Sequence, residues 1–132
     1  SLSLHHHDQF AEMLPALGVA PEVAGDSAGL TILEYVRVAP GQRRAYEMQL
    51  ANHVLPVESA RGGAPGVQWS ETGRLLVSDG WDFVRFIGIA SLGAWQAYQE
   101  TLRVTGAAGA VEPLVASRKV IIVRALPRLA IR

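Results

Sequence analysis

LTILEYVRVAPGQRRAYEMQLANHVLPV, residues 30–57, carries the two periodicities from which the fold is read. Residues 30–38 alternate: Leu30, Ile32, Glu34, Val36 and Val38 fall on one side, Thr31, Leu33, Tyr35 and Arg37 on the other. Successive strand side chains must do this. Pro40-Gly41 stops the alternation. From about residue 42 the spacing becomes helical. Tyr46, Leu50, Val54 and Val57 form one stripe, widened by Ala51 and Leu55, and Pro56 is expected to end or bend the last turn. The stretch predicts strand, tight turn and amphipathic helix.

Much the same order returns downstream. Residues 81–90, WDFVRFIGIA, predict a strand, and Ser91 is a suitable N-cap for a helix over 92–103 with Trp95, Tyr98 and Leu102 inward. Residues 118–126, RKVIIVRAL, predict a closing strand that Pro127 ends. Between the halves lie a loop, RGGAPG at 61–66, and an extended stretch, 67–78, in which Gly73 suggests a bulge or local turn. Asp79-Gly80 is the hairpin signal, since a type I′ turn wants positive φ at both central residues. The order βαββαβ predicts an α+β, ferredoxin-like fold: a four-stranded antiparallel sheet, order 4-1-3-2, with two helices on one face.

Composition narrows the function classes. The chain has 132 residues, enough for one core, and about half of them, 49%, are apolar. Lys plus Arg and Asp plus Glu number 12 each, so no net charge argues for nucleic acid or an anionic membrane as partner. With no cysteine, disulfides and thiolate chemistry are excluded. No apolar run reaches the roughly 18 residues of a membrane span, and residues 1–17 show no secretory pattern, so a cytoplasmic location is expected. Residues 1–28 are expected to be a tail: His5, His6 and His7 suit an appended tag or loose terminus, 8–14 a short helix cut by Pro15, and 18–29 a linker. The domain is expected over 29–127, with a second tail at 128–132.

LEYVRVAPGQRRAYE and DGWDFVRFIGIASLGAWQAY together resemble the dimeric α+β barrel superfamily. The first matches its opening V-x-V strand, P-G-x turn and inward aromatic. The second matches its central hairpin and the S-x-x-A-W/F-x-x-Y start of its second helix. The resemblance spans about residues 30–126 and is strongest to a group of the superfamily with no assigned role. It implies the ferredoxin-like fold and a dimeric barrel. Members include antibiotic-biosynthesis monooxygenases, stress-responsive barrel proteins and NIPSNAP-like proteins, so the resemblance implies no single activity. Heme-degrading members use an Asn, a Trp and a His; His53 and Asn52 here lie on the first helix, and heme is not expected.

Several residues invite a chemical reading beside a structural one. His53 is either a surface histidine or a base at a cavity between helix and sheet. Glu34, Arg85 and Arg124 are lone charges on apolar strand faces. The 4-1-3-2 order would let Glu34 meet Arg85 on one side and Arg124 on the other. They form either an ion-pair cluster or an anion site with one arginine partly free. His53, Arg85 and Glu34 are thus the candidate catalytic residues. Tyr46, Trp69, Trp81, Tyr98 and Arg124 are the candidate substrate contacts, with core packing as the alternative for the aromatics. No phosphate loop, Ser-His-Asp arrangement or metal-ligand spacing occurs, so neither metal nor cofactor is expected.

Two functions remain open. One is a small-molecule enzyme or binder acting on an aromatic or polyketide-like compound without a bound cofactor. The other is a non-catalytic dimeric module for stress response or assembly. Self-association is expected under both. Val120 and Ile122 face one side of the last strand and Ile121 and Val123 the other, so both sheet faces want burial, and a second copy is the simplest cover.

Overall fold

The structure, a computed structural model, describes residues 3–4, 9–21, 29–59, 66–77 and 80–124. The expectations for His5–7, for the loop at 61–65, for Asp79 and for residues 125–132 fall outside the described residues.

The described residues form a six-stranded antiparallel sheet. Its strands are β1 (Ser3–Leu4), β2 (Gln9–Met13), β3 (Leu30–Val38), β4 (Val67–Val77), β5 (Phe83–Ile89) and β6 (Val115–Arg124), in the order β1-β2-β4-β5-β3-β6. The last four reproduce the ferredoxin-like order. The four-strand count was too low, because two strands come from the segment expected to be a tail.

Gln9–Met13 is a strand, not the expected helix. β4 is longer than its β5 partner can cover, and its far edge carries backbone groups that need partners. β2 supplies them, with Ala11 opposite Leu75 and Met13 opposite Gly73. The chain then stays docked: Leu14 N–H donates to Thr72 O at 2.9 Å, and Val19 exchanges two bonds of 2.9 Å with Ser70. Pro15 opens a 3₁₀ turn, Pro15–Leu17, that drops Leu17 into the core.

β3 behaves as its alternation requires. It is central, with Glu34 opposite Arg85 of β5 and Val120 of β6. Ala39 to Gln42 closes a type II turn: Pro40 sits second, Gly41 third at φ 77°, and Gln42 N–H reaches Ala39 O at 3.0 Å. Gly73 marks neither bulge nor turn. It lies in regular register opposite Val84, and a Cβ there would stand 3.1 Å from both Ala11 Cβ and Met13 Sδ. The register shift falls instead between Val67 and Trp69. Gly80, at φ 89°, belongs to the connection between β4 and β5.

The first helix is α1 (Arg43–Gln49), a π turn over Leu50–Val54, and α2 (Leu55–Ser59). Pro56 does not end it. Pro56 has no N–H to give, and the wider turn just before it carries Leu55 N–H to Leu50 O. The second is α3 (Leu92–Val104), capped by Ser91 Oγ accepting from Ala94 N–H at 3.1 Å. α4 (Ala107–Val111) follows Gly106, whose φ is 86°. No described helix is long and apolar enough to cross a membrane.

The helices cover one face of the sheet except along β6, where Val120 and Ile122 are about 40% exposed. Val36, Val38 and Phe83 pack on Tyr46, Leu50, Val54 and Val111; Ile32, Ile87 and Ile89 pack on Trp95 and Tyr98. On the other face Leu75, Val84 and Ala11 are buried among Met13, Tyr35, Trp81 and Phe86. Farther along that face Ile121 and Val123 are about 40% exposed.

Candidate functional site

Tyr46, Leu50, Val54 and Glu58 stand four residues apart on the first helix, and all four are buried. Four residues overshoot one α-helical turn by about 40°, so three such steps would swing Glu58 well off the Tyr46 line. The π turn takes more residues per turn and reverses part of that drift. Glu58 is thereby brought beneath the sheet, where Arg85 of β5 waits on the same face.

Arg85 and Glu58 form a buried, two-pronged ion pair. Nη1 donates to Oε2 at 2.8 Å and Nη2 to Oε1 at 3.0 Å. Arg85 Nε donates to Thr72 Oγ1 at 2.9 Å, Ser70 Oγ to Glu58 Oε1 at 2.7 Å, and the Tyr98 hydroxyl to Glu58 Oε2. Burial alone would raise the Glu58 pKa; the Arg85 charge, with hydrogen bonds from Arg85, Tyr98 and Ser70, outweighs it and holds the carboxyl below its ordinary range. Burial and the Glu58 charge push Tyr98 well above the usual phenol value.

A second pair lies nearer solvent. Arg118 Nε meets Glu34 Oε2 at 2.7 Å, and its Nη1 donates to Glu112 Oε1 and Oε2 at 2.8 and 2.6 Å. Between the two pairs is a cavity of about 200 Å³. Trp95, Tyr98, Leu50, Val54, Ile87 and Leu102 wall it, and Glu34, Arg85, Gln99, Glu112 and Arg118 supply its polar groups. Tyr46 faces it too. Its side chain is buried, and among the described residues nothing hydrogen-bonds its hydroxyl. Burial first, then the Glu34 charge, raises its pKa far above the usual phenol value. The cavity thus offers an aromatic wall, one uncommitted phenol O–H and two carboxylate-bound guanidiniums.

The sequence candidates divide. Glu34, Arg85, Tyr46 and Tyr98 do converge on this cavity. Glu34 and Arg85 are register partners, yet each turns to another residue, Glu34 to Arg118 and Arg85 to Glu58. The expected Glu34–Arg85–Arg124 cluster is therefore not formed. Arg124 pairs with Leu30, two same-face positions beyond Val120, and is exposed. His53 is exposed on the π turn, away from the cavity lining. Trp69 lies across Gly88 on the other sheet face and lines a separate hollow of about 690 Å³ beside Met13, Leu14 and Val19. Trp81 is on that face as well, beside Tyr35, with Lys119 Nζ 5.7 Å and Arg37 5.7 Å from its ring.

Glu58, Arg118, Glu112, Trp95 and Gln99 were not among the candidates. For Glu58 the four-residue spacing from 46, 50 and 54 points to this face only once the π turn is known. Arg118 and Glu112 gave no signal, since each looks like an ordinary solvated charge.

No family model and no curated relative matches the sequence. Solved structures do match. A provisionally named monooxygenase of Lactobacillus acidophilus NCFM superposes with a TM-score of 0.65 at 12% identity, over 83% of this chain and 49% of that one. A dimeric ferredoxin-like protein of unknown function from Thermobifida fusca YX gives 0.60 at 14%, over 79% and 97%. An anthrone oxidase-like protein gives 0.58 at 16%, over 88% and 54%. The chain spans about half the length of the first and third of these. At such identities the likeness concerns backbone only: this chain has a ferredoxin-like α+β fold.

Proposed function

We propose that the chain binds, or with dioxygen as the outside oxidant oxidises, a small aromatic molecule in the cavity between sheet and helices, without a bound cofactor. One observation carries this reading: the Tyr46 hydroxyl, which no described residue hydrogen-bonds, opens onto an aromatic-walled space. A hydroxyl that opens onto the cavity and has no protein partner can hydrogen-bond a ligand's polar group. The volume, about 200 Å³, exceeds the roughly 150 Å³ that takes up benzene in an engineered cavity, so one ring with a short substituent fits. The likeness to a provisionally named monooxygenase and to an anthrone oxidase-like protein supports the direction of the proposal. Arg85 and Glu34 flank the space, with Tyr46 and Tyr98 as ligand contacts. His53, Trp69, Trp81 and Arg124 have no part in it.

A panel of single-ring aromatics tests the reading by thermal shift, each compound also run against Tyr46→Phe. Binding that weakens in the variant is expected. No shift with any compound would refute it.

The second reading, a dimeric module without catalysis, has its own support: the cavity is smaller than the roughly 300–1,000 Å³ of common ligand pockets. Under both readings we propose a homodimer joined through the sheet face that bears Tyr35, Trp81, Phe86, Ile121 and Val123. That face carries these apolar side chains beside the charges of Arg37, Lys119 and Glu71, no described helix packs on it, and one structural relative is dimeric. Light scattering at micromolar concentration should give about twice the 14.2 kDa chain mass. A stable monomer would refute it.

A further inference from the structure

We infer that the cavity selects a small aromatic cation, a protonated arylalkylamine, over the carboxylate of the same shape. This rests on the reading that the cavity is a small-molecule site. The lining charges are Glu34, Glu112, Arg85 and Arg118, two of each sign. Glu58, outside the lining, is a third carboxylate, bonded to Arg85. Three carboxylates against two guanidiniums leave one excess negative charge.

The arginines are also poorly placed to receive an anion. Arg85 spends both Nη atoms on Glu58 and Nε on Thr72. Arg118 spends Nε on Glu34 and Nη1 on Glu112 and keeps only Nη2, so neither arginine offers two uncommitted nitrogens for a forked carboxylate contact. A cation finds the reverse. Glu34 and Glu112 remain partly exposed at the rim, and the Tyr46 hydroxyl oxygen is free to accept. Trp95 and Tyr98, with ring centroids 5.7 Å apart, give π faces that attract a positive charge.

The test is calorimetry on the full chain at neutral pH with benzylamine, benzyl alcohol and benzoate. Benzylamine should bind tightest and benzoate at least about tenfold more weakly, the scale of a net unit charge acting across roughly 10 Å at an effective dielectric near 20. Glu112→Gln, at a half-exposed position, removes the excess charge and should bring amine and carboxylate within about threefold of one another. Ala108→Phe, which fills the cavity, should abolish amine binding. Benzoate binding as tightly as benzylamine overturns the inference and leaves the cavity reading standing, as does a ratio unmoved by Glu112→Gln. Amine binding that survives Ala108→Phe overturns it by placing the amine elsewhere. If none of the three compounds binds, the cavity reading falls with it.

Discussion

Replacing Glu58 by Ala should destabilise the chain far more than the same change at Glu34. Both glutamates bond an arginine, but their surroundings differ. The Glu58 and Arg85 side chains are 0% and 2% exposed; those of Glu34 and Arg118 are 16% and 27% exposed. Glu58→Ala leaves the Arg85 guanidinium buried with Thr72 alone, and strips Ser70 and Tyr98 of their acceptor. An uncompensated buried charge of this kind costs about 3–5 kcal/mol. Total stability for a domain of this size is about 5–15 kcal/mol, so the variant loses a large share. Glu34→Ala removes a pair that water already screens, and Arg118 keeps Glu112, so the loss there should be under about 1 kcal/mol. Urea unfolding of the two variants beside the parent measures both. A Glu58→Ala loss below about 1 kcal/mol, or equal losses at both sites, would refute the argument that burial decides what these pairs are worth.

Acid should act through the same group. The folded Glu58 pKa lies below its unfolded value of about 4.3, so its contribution is fully present above that value and is lost as pH falls through the lower, folded one; Glu58→Gln should flatten that part of a stability–pH curve, and an unchanged curve would count against it. Tyr46→Phe deletes a hydroxyl with no partner, so stability should stay the same or rise by up to about 1 kcal/mol; a loss above that by thermal melting would reveal a hidden bond. Gly88→Ala would set a Cβ 2.0 Å from Trp69 Nε1 and push the indole aside, costing about 1–3 kcal/mol in chemical denaturation, whereas a neutral effect would mean that the ring moves freely. Ile121→Asp, on the uncovered sheet face, should yield a monomer by light scattering, and an intact dimer would move the interface elsewhere.

Much of the fold is legible from 30–57 and its downstream echo because alternation and helical spacing are local rules. The backbone itself enforces them, so β3, α3, the Pro40-Gly41 turn and the Ser91 cap need no knowledge of distant residues. The order of the four inner strands follows from the same elements, since few connections satisfy that sequence of strands and helices. Arg85 and Glu34 stand out by the same local rule, as lone charges on apolar strand faces, and Tyr46 and Tyr98 as aromatics on the inner stripes of their helices.

Their partners were decided by tertiary structure alone. Glu34 and Arg85 are neighbours in register, and a sequence argument pairs them. The π turn before Pro56 carries Glu58 under β5, however, and a guanidinium takes the carboxylate that offers it two bonds. Arg118 then falls to Glu34, which no spacing announces. The N-terminal strands are a similar case. Gln9–Met13 has no strong pattern of its own, and it is a strand because β4 leaves an edge of unpaired backbone beside it. Local sequence fixes what each segment prefers. Which buried charge meets which, and where an open edge recruits a strand, depend on distances that only the folded chain sets.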